Sequence, residues 1–121
     1  VFDAEALSNI LYDFGRSTPD VQASVIVDSD GLIMASQLPS SYEEDSVAAM
    51  SAALLRLGER TIEEIRGGNL EQILVKGDMA VIVLMSIGKE AVLCVMADKN
   101  VKLGLLFMSM KKSIEQLKNI M

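Results

Sequence analysis

The residues best suited to chemistry in this chain are Asp28 and Asp30, in the stretch SVIVDSDGLIMAS from Ser24 to Ser36. Two carboxylates that close together can hold a divalent cation or begin an acid–base pair. A calcium loop of the EF-hand kind asks for ligands at its first, third and fifth positions, glycine at the sixth and a bidentate glutamate at the twelfth. Counted from Asp28, glycine falls fourth, leucine fifth and Pro39 twelfth. The metal pattern fails at every later position, whereas Asp and Gly are the residues that a tight turn selects. The stretch reads as a hairpin turn, and no metal or other cofactor is expected.

Other routes to catalysis close for similar reasons. The chain of 121 residues holds no histidine, which excludes Ser-His-Asp and Cys-His nucleophiles and most zinc and iron sites. Its one cysteine, Cys94, lies inside an apolar run and reads as a small buried hydrophobe. A single thiol makes no disulfide framework, which points to a reducing compartment and a cytoplasmic location. Gly88-Lys89 lacks the flanking glycine and hydroxyl of a phosphate loop and joins two strands. The expectation is a protein without an active site of its own.

The charge narrows the partners. Seventeen acidic residues against eleven basic ones give a net charge of −6, which disfavours nucleic acid and anionic membrane. No apolar stretch reaches the ~18 residues of a membrane span, so no membrane insertion is expected, and no charged-then-apolar leader opens the chain. Val1 is not expected to be the natural start, so a few residues are expected upstream.

Around these candidates the chain reads as eight elements in the order α-β-β-α-β-β-β-α, forming one domain over 1–121. DAEALSNILYDF has apolar residues at helical spacing (Ala6, Leu7, Ile10, Leu11, Phe14), with Asp3 as cap and Gly15 and Pro19 as terminators. VQASVIVD and GLIMASQL form the hairpin, expected at the middle of a sheet. The next helix is expected from Ser40 or Ser41, either of which can cap it, to Arg66 with Gly67-Gly68 closing it. LEQILVK, MAVIVLMS and EAVLCVMA follow as three antiparallel strands joined at Gly77-Asp78 and Gly88-Lys89. The last helix is expected to start at Asn100 and to carry Val101, Leu105, Met108, Ile114 and Leu117 along one side, with Gly104 packed closely on the sheet.

Two features look like unfinished surfaces. MAVIVLM and AVLCVM are apolar at consecutive positions, so helices are expected on both faces of the sheet. LEQILVKG alternates only in part and reads as an edge strand to which another chain can add. On the long helix, Val47, Met50, Leu54, Leu57, Gly58, Thr61 and Ile65 are expected to cover the sheet. The opposite face carries Ala48, Ala49, Ala52 and Ala53, with Arg56 at the junction to a charged half. Alanine there is either the best helix former or a smooth surface that lets a partner approach closely.

The hairpin ASVIVDSDGLIMAS, the long helix ending in RGG, the meander EQILVKGDMAVIVLMSIGKEAVLCVMA and the closing helix DKNVKLGLLFMSMKKSIEQL resemble, in that order, the roadblock superfamily. That group includes dynein light chains of the roadblock type and the bacterial MglB proteins. The resemblance implies an α+β, two-face sandwich of the profilin/roadblock kind. In it a five-stranded antiparallel sheet has the long second helix on one face and the terminal helices on the other. It also implies dimerisation, with itself or with a paralogous roadblock domain. The edge strand Leu70, Glu71, Gln72, Ile73, Leu74, Val75 and Lys76 would pair with its copy, and the long helices would lie side by side. The implied partner is a Ras-like small GTPase, met around Ala48, Ala49, Ala52, Ala53 and Arg56, whose hydrolysis such dimers sometimes stimulate without an arginine finger. The alternative is a small-ligand-sensing domain of the PAS or profilin kind with no GTPase partner. It rests on fold analogy alone.

Overall fold

The computed structural model describes residues 3–121. Val1, and with it the expectation of chain upstream, lies outside the described residues. Helix α1 (Ala4–Ser17) leads into strands β1 (Val21–Asp28) and β2 (Ile33–Gln37). Helix α2 (Glu44–Glu64) follows, then strands β3 (Gln72–Lys76), β4 (Ala80–Ile87) and β5 (Ala91–Asp98), and helix α3 (Leu103–Lys118) closes the fold. All pairings are antiparallel and the strand order is β2-β1-β5-β4-β3. The eight elements, their order and the antiparallel sheet are as the sequence predicts. The hairpin differs: β2 is an edge strand, because β1 takes β5 as its second neighbour, with Ile26 opposite Leu93.

Strand β5 is the reason for the layering. Seven consecutive residues from Ala91 to Ala97 are buried, so the strand is covered on both faces. One face packs on α1 and α3 through Leu7, Leu11, Phe14, Leu106, Met110 and Leu117. The other packs on α2 alone, through Val47, Ala48 and Leu55 against Val25, Leu84, Val92 and Cys94. Five strands at ~4.8 Å spacing make a sheet ~24 Å wide. Two helices of ~10 Å diameter nearly cover that width, and one helix covers less than half of it. The α2 face is geometrically short of cover.

Local chemistry sets the helix ends, and several differ from expectation. Asp3 does cap α1, accepting from the Glu5 and Ala6 amides at 3.0 and 3.2 Å, but the helix runs through Gly15 to Ser17. Ser40 and Ser41 do not cap α2: they lie in a turn closed by the Tyr42 amide on the Pro39 carbonyl, and the cap position falls to Glu43. Asn100 is likewise inside a turn, its amide on the Asp98 carboxylate at 2.9 Å, and Lys102 holds the α3 cap position. The buried stripe of α3 is Leu106, Met110, Ile114 and Leu117, one clean helical line. The expected line mixed that stripe with its neighbour, so Leu105 and Met108 point outward. Gly104 does not pack closely, since a methyl group there would meet nothing within 4 Å.

At the end of α2 the expected glycine, Gly68, does take a positive φ of +87°, but Arg66, directly after the C-cap, takes the left-handed conformation first, with φ +55°. The Gly67 amide reaches back to the Ile62 carbonyl at 2.8 Å and the Arg66 amide to Glu63 at 3.0 Å, satisfying two terminal carbonyls. A side chain in that conformation is strained relative to glycine. Arg66→Gly is therefore expected to stabilise the fold by about 0.5–1 kcal/mol after allowing for the freer unfolded chain, read as a higher midpoint in urea or thermal unfolding.

Candidate interaction surface

Asp28 is occupied by its own turn. One carboxylate oxygen accepts the Asp30 amide at 2.9 Å and the Leu32 amide at 3.0 Å. The Gly31 amide donates to the Asp28 carbonyl at 3.1 Å, and Gly31 takes φ +85°, which favours glycine. The turn is also a seat for α2. A Cβ on Gly31 would stand 3.3 Å from that of Ala52, so the helix comes down onto the turn where the side chain is missing. Among the described residues no three His, Cys, Asp or Glu side chains converge as a metal site would require.

Cys94 lies at the centre of the sheet and is fully buried. Burial pushes its thiol up to about 11 from the usual 9.0, while a hydrogen bond with the Ser51 side chain works in the opposite direction. Ser51 is itself held by its hydroxyl donating to the Val47 carbonyl at 2.8 Å. A thiol kept protonated and out of water is a packing residue.

The orientation of α2 departs most from expectation. Its buried residues are Val47, Ala48, Ser51, Ala52 and Leu55. Ala48 and Ala52, expected to face a partner, lie against the sheet, while Ala49, Ala53 and Arg56 are exposed. Met50 and Leu57, expected to cover the sheet, are 41% and 61% exposed, and Ile65 also faces out. The reason is distance. At Gly58 a Cβ would stand 2.6 Å from the end of the Ile73 side chain and 3.1 Å from Leu70, so small residues let the helix lie close on the sheet. The helix face that carries Val47, Ala48, Ser51, Ala52 and Leu55 is the one that fits this close approach, and Met50 and Leu57 are left turned outward.

What α2 leaves uncovered is a groove of about 420 Å³ over β3 and β4, walled by Tyr42, Val47 and Met50 on one side and Val75, Ile82 and Met96 on the other. Beside it runs β3, which among the described residues pairs only with β4 and has its second edge free. Within 70–76, Leu70 and Ile73 are half-buried under α2, while Glu71, Gln72, Leu74, Val75 and Lys76 are exposed. Leu74 and Val75 point to opposite faces and both lack cover. Lys76 and Gln72 moderate an edge that otherwise invites pairing. Sequence reasoning identified this edge but missed Met50 and Leu57. Their signal was present: apolar residues from Val47 to Leu57 span more than half the helix circumference, more than one buried face uses.

The description Roadblock/LC7 domain matches residues 9–97 of this chain. An uncharacterised protein of Methanocaldococcus jannaschii is 39% identical over 112 residues, spanning 93% of this chain and 96% of its own length. Among solved structures, MglB of Myxococcus xanthus superposes with a TM-score of 0.91 at 18% identity, covering 98% of this chain and 89% of that one. A Roadblock/LC7 domain from Streptomyces avermitilis superposes at 0.87 with 19% identity, covering 93% and 94%. At such identities the structural matches speak for the fold.

Two outcomes follow from the turn and the thiol. Asp28→Ala removes both side-chain hydrogen bonds and is expected to destabilise the protein by about 1–2 kcal/mol in urea unfolding, with the Asp28→Asn variant milder because it keeps one acceptor. Cys94 is expected to resist thiol reagents until the protein unfolds. Its contribution is complete below pH 9, where both states hold the proton, and is lost as pH climbs from 9.0 toward about 11, where only the unfolded thiol ionises. Wild type should accordingly lose more stability over that interval than the Cys94→Ala variant does.

Proposed function

Because the chain belongs to the Roadblock/LC7 family, we propose that it is a regulatory module that works as a dimer and binds a Ras-like small GTPase. The observation that carries this reading is the apolar groove beside α2, continuous with the unpaired edge of β3. A second copy related by a two-fold axis supplies what each lacks. Residues 70–76 pair with their counterparts, extending the sheet across both copies. The partner's α2 then lies over Val75 and Ile82 beside Met50. A paralogous roadblock domain of the same shape satisfies the same geometry.

In that dimer the outermost residues of the helix layer are Ala49, Ala53 and Arg56, with Leu57 at the margin. Two small side chains per helix let a GTPase approach the backbone closely, and Arg56 supplies an exposed cation at the rim. Ala48 and Ala52 fall out of this surface because they are buried. The reading assigns no catalytic residue to the chain, so any stimulation of hydrolysis comes from repositioning groups of the GTPase itself.

Sedimentation equilibrium is expected to give a dimer or a multiple of it, and the Val75→Glu/Met50→Glu double variant should lose that contact while keeping its helical and strand content. Against the Ras-like GTPases of the source organism, wild type should bind in one nucleotide state, and Ala53→Arg or Arg56→Glu should weaken binding about tenfold or more. Failure of every such GTPase to bind in either nucleotide state would reject the partner. A mass unchanged by the Val75→Glu/Met50→Glu pair would reject the interface.

A further inference from the structure

The opposite side of the molecule carries a surface that the reading above does not use. Leu105 and Met108, on the outer side of α3, are 56% and 68% exposed, one helical turn apart. Gly104 beside them is the second residue of the helix, where glycine is a poorer helix former than alanine, and among the described residues nothing comes within 4 Å of a methyl group placed there. Such a glycine leaves room for another backbone. The charge is just as uneven. Residues 99–121 hold five lysines and one glutamate, a net +4, while residues 1–98 hold six basic and sixteen acidic ones, a net −10. Helix α1, packed beside α3 on the same sheet face, presents exposed Glu5 and Asp13 and the ring of Tyr12, which Arg16 overlies at 5.7 Å.

We propose that the outer face of the α1–α3 layer is a second self-association surface, on which α3 of one copy lies against α1 of another and the contact is reciprocal. The charge pattern selects this occupant. A direct α3-to-α3 contact sets Lys112 and Lys111 of each copy near those of the other, whereas a two-fold α3-to-α1 contact meets lysines with Glu5 and Asp13 twice over. The complementary charges lie side by side in one layer, so a copy of the same layer satisfies both. Area allows a modest contact: two adjacent helices ~21 and ~24 Å long, each ~10 Å across, offer a plate of ~450 Å² in projection, over half of the ~800 Å² per partner of a standard interface before side-chain relief is counted. One foreign helix laid on α3 covers about half of it. Leu105 and Met108 form the dry centre, and Gly104 sets the approach.

Because this surface and the β3–α2 surface lie on opposite faces, both can be filled at once, giving a closed or open array of dimers. The test is the mass of the full chain by sedimentation equilibrium from micromolar to millimolar concentration, with circular dichroism to verify folding. Wild type is expected as a tetramer or larger, and Leu105→Glu/Met108→Glu should at least halve the mass. If the charged pair misfolds the chain, Gly104→Gln, which improves helix propensity while adding bulk, should give the same reduction. Equal masses for wild type and these folded variants overturn the proposal. The Val75→Glu/Met50→Glu variant separates the two surfaces: if it keeps the wild-type mass while the α3 variants fall, the β3–α2 reading fails and this one stands.

Discussion

A sheet of five strands needs more cover than three helices can give it. Everything distinctive about this chain follows from how that shortage is distributed. Strand β5 is buried on both faces along almost its whole length, which obliges the chain to place helices on both sides. Two go to one side and a single α2 to the other. The helix settles over β1, β5 and the turn at Gly31, reaching β3 only at Ile73, and the deficit collects over the Val75 end of β3 and the start of β4. The groove and the open strand edge are thus one feature seen from two directions.

Much of this was legible in the residues. Consecutive apolar positions in MAVIVLM and AVLCVM required two-sided burial, and the partial alternation of LEQILVK marked an edge. The failures cluster where the deciding quantity is separation rather than polarity. On α2, apolar residues occupy so much of the circumference that a wheel cannot choose between two faces. The closeness of Ala52 to Gly31 and of Gly58 to Ile73 makes the choice, and closeness is a property of the assembled layers. Residues that looked like core, Met50 and Leu57, therefore became surface, and two of the four alanines became core. On α3 the same ambiguity placed Leu105 and Met108 on the wrong side.

The helix caps failed for a more local reason. Ser40, Ser41 and Asn100 are good capping residues, but each lies in a turn whose backbone bonds are already committed to Pro39 or Asp98. Turn and cap compete for the same few amides, and the composition of the segment does not say which wins. Asp28 shows the opposite case. Its carboxylate satisfies two amides within five residues, so a reading from turn chemistry alone reaches the right structure.

The pairing of β1 with β5 also sets an order in time. β1 is an apolar strand made early, and its central neighbour is among the last strands to be synthesised, with Ile26 meeting Leu93 across more than half the chain. The β3–β5 meander can zip from adjacent turns, whereas β1 must wait for a long loop to close before its inner edge is satisfied. During synthesis VQASVIVD, paired only with β2, therefore keeps its inner edge open as a hydrophobic template for as long as the ribosome takes to deliver the C-terminal half. The strand that anchors the finished sheet is the same segment that exposes the newborn chain to aggregation.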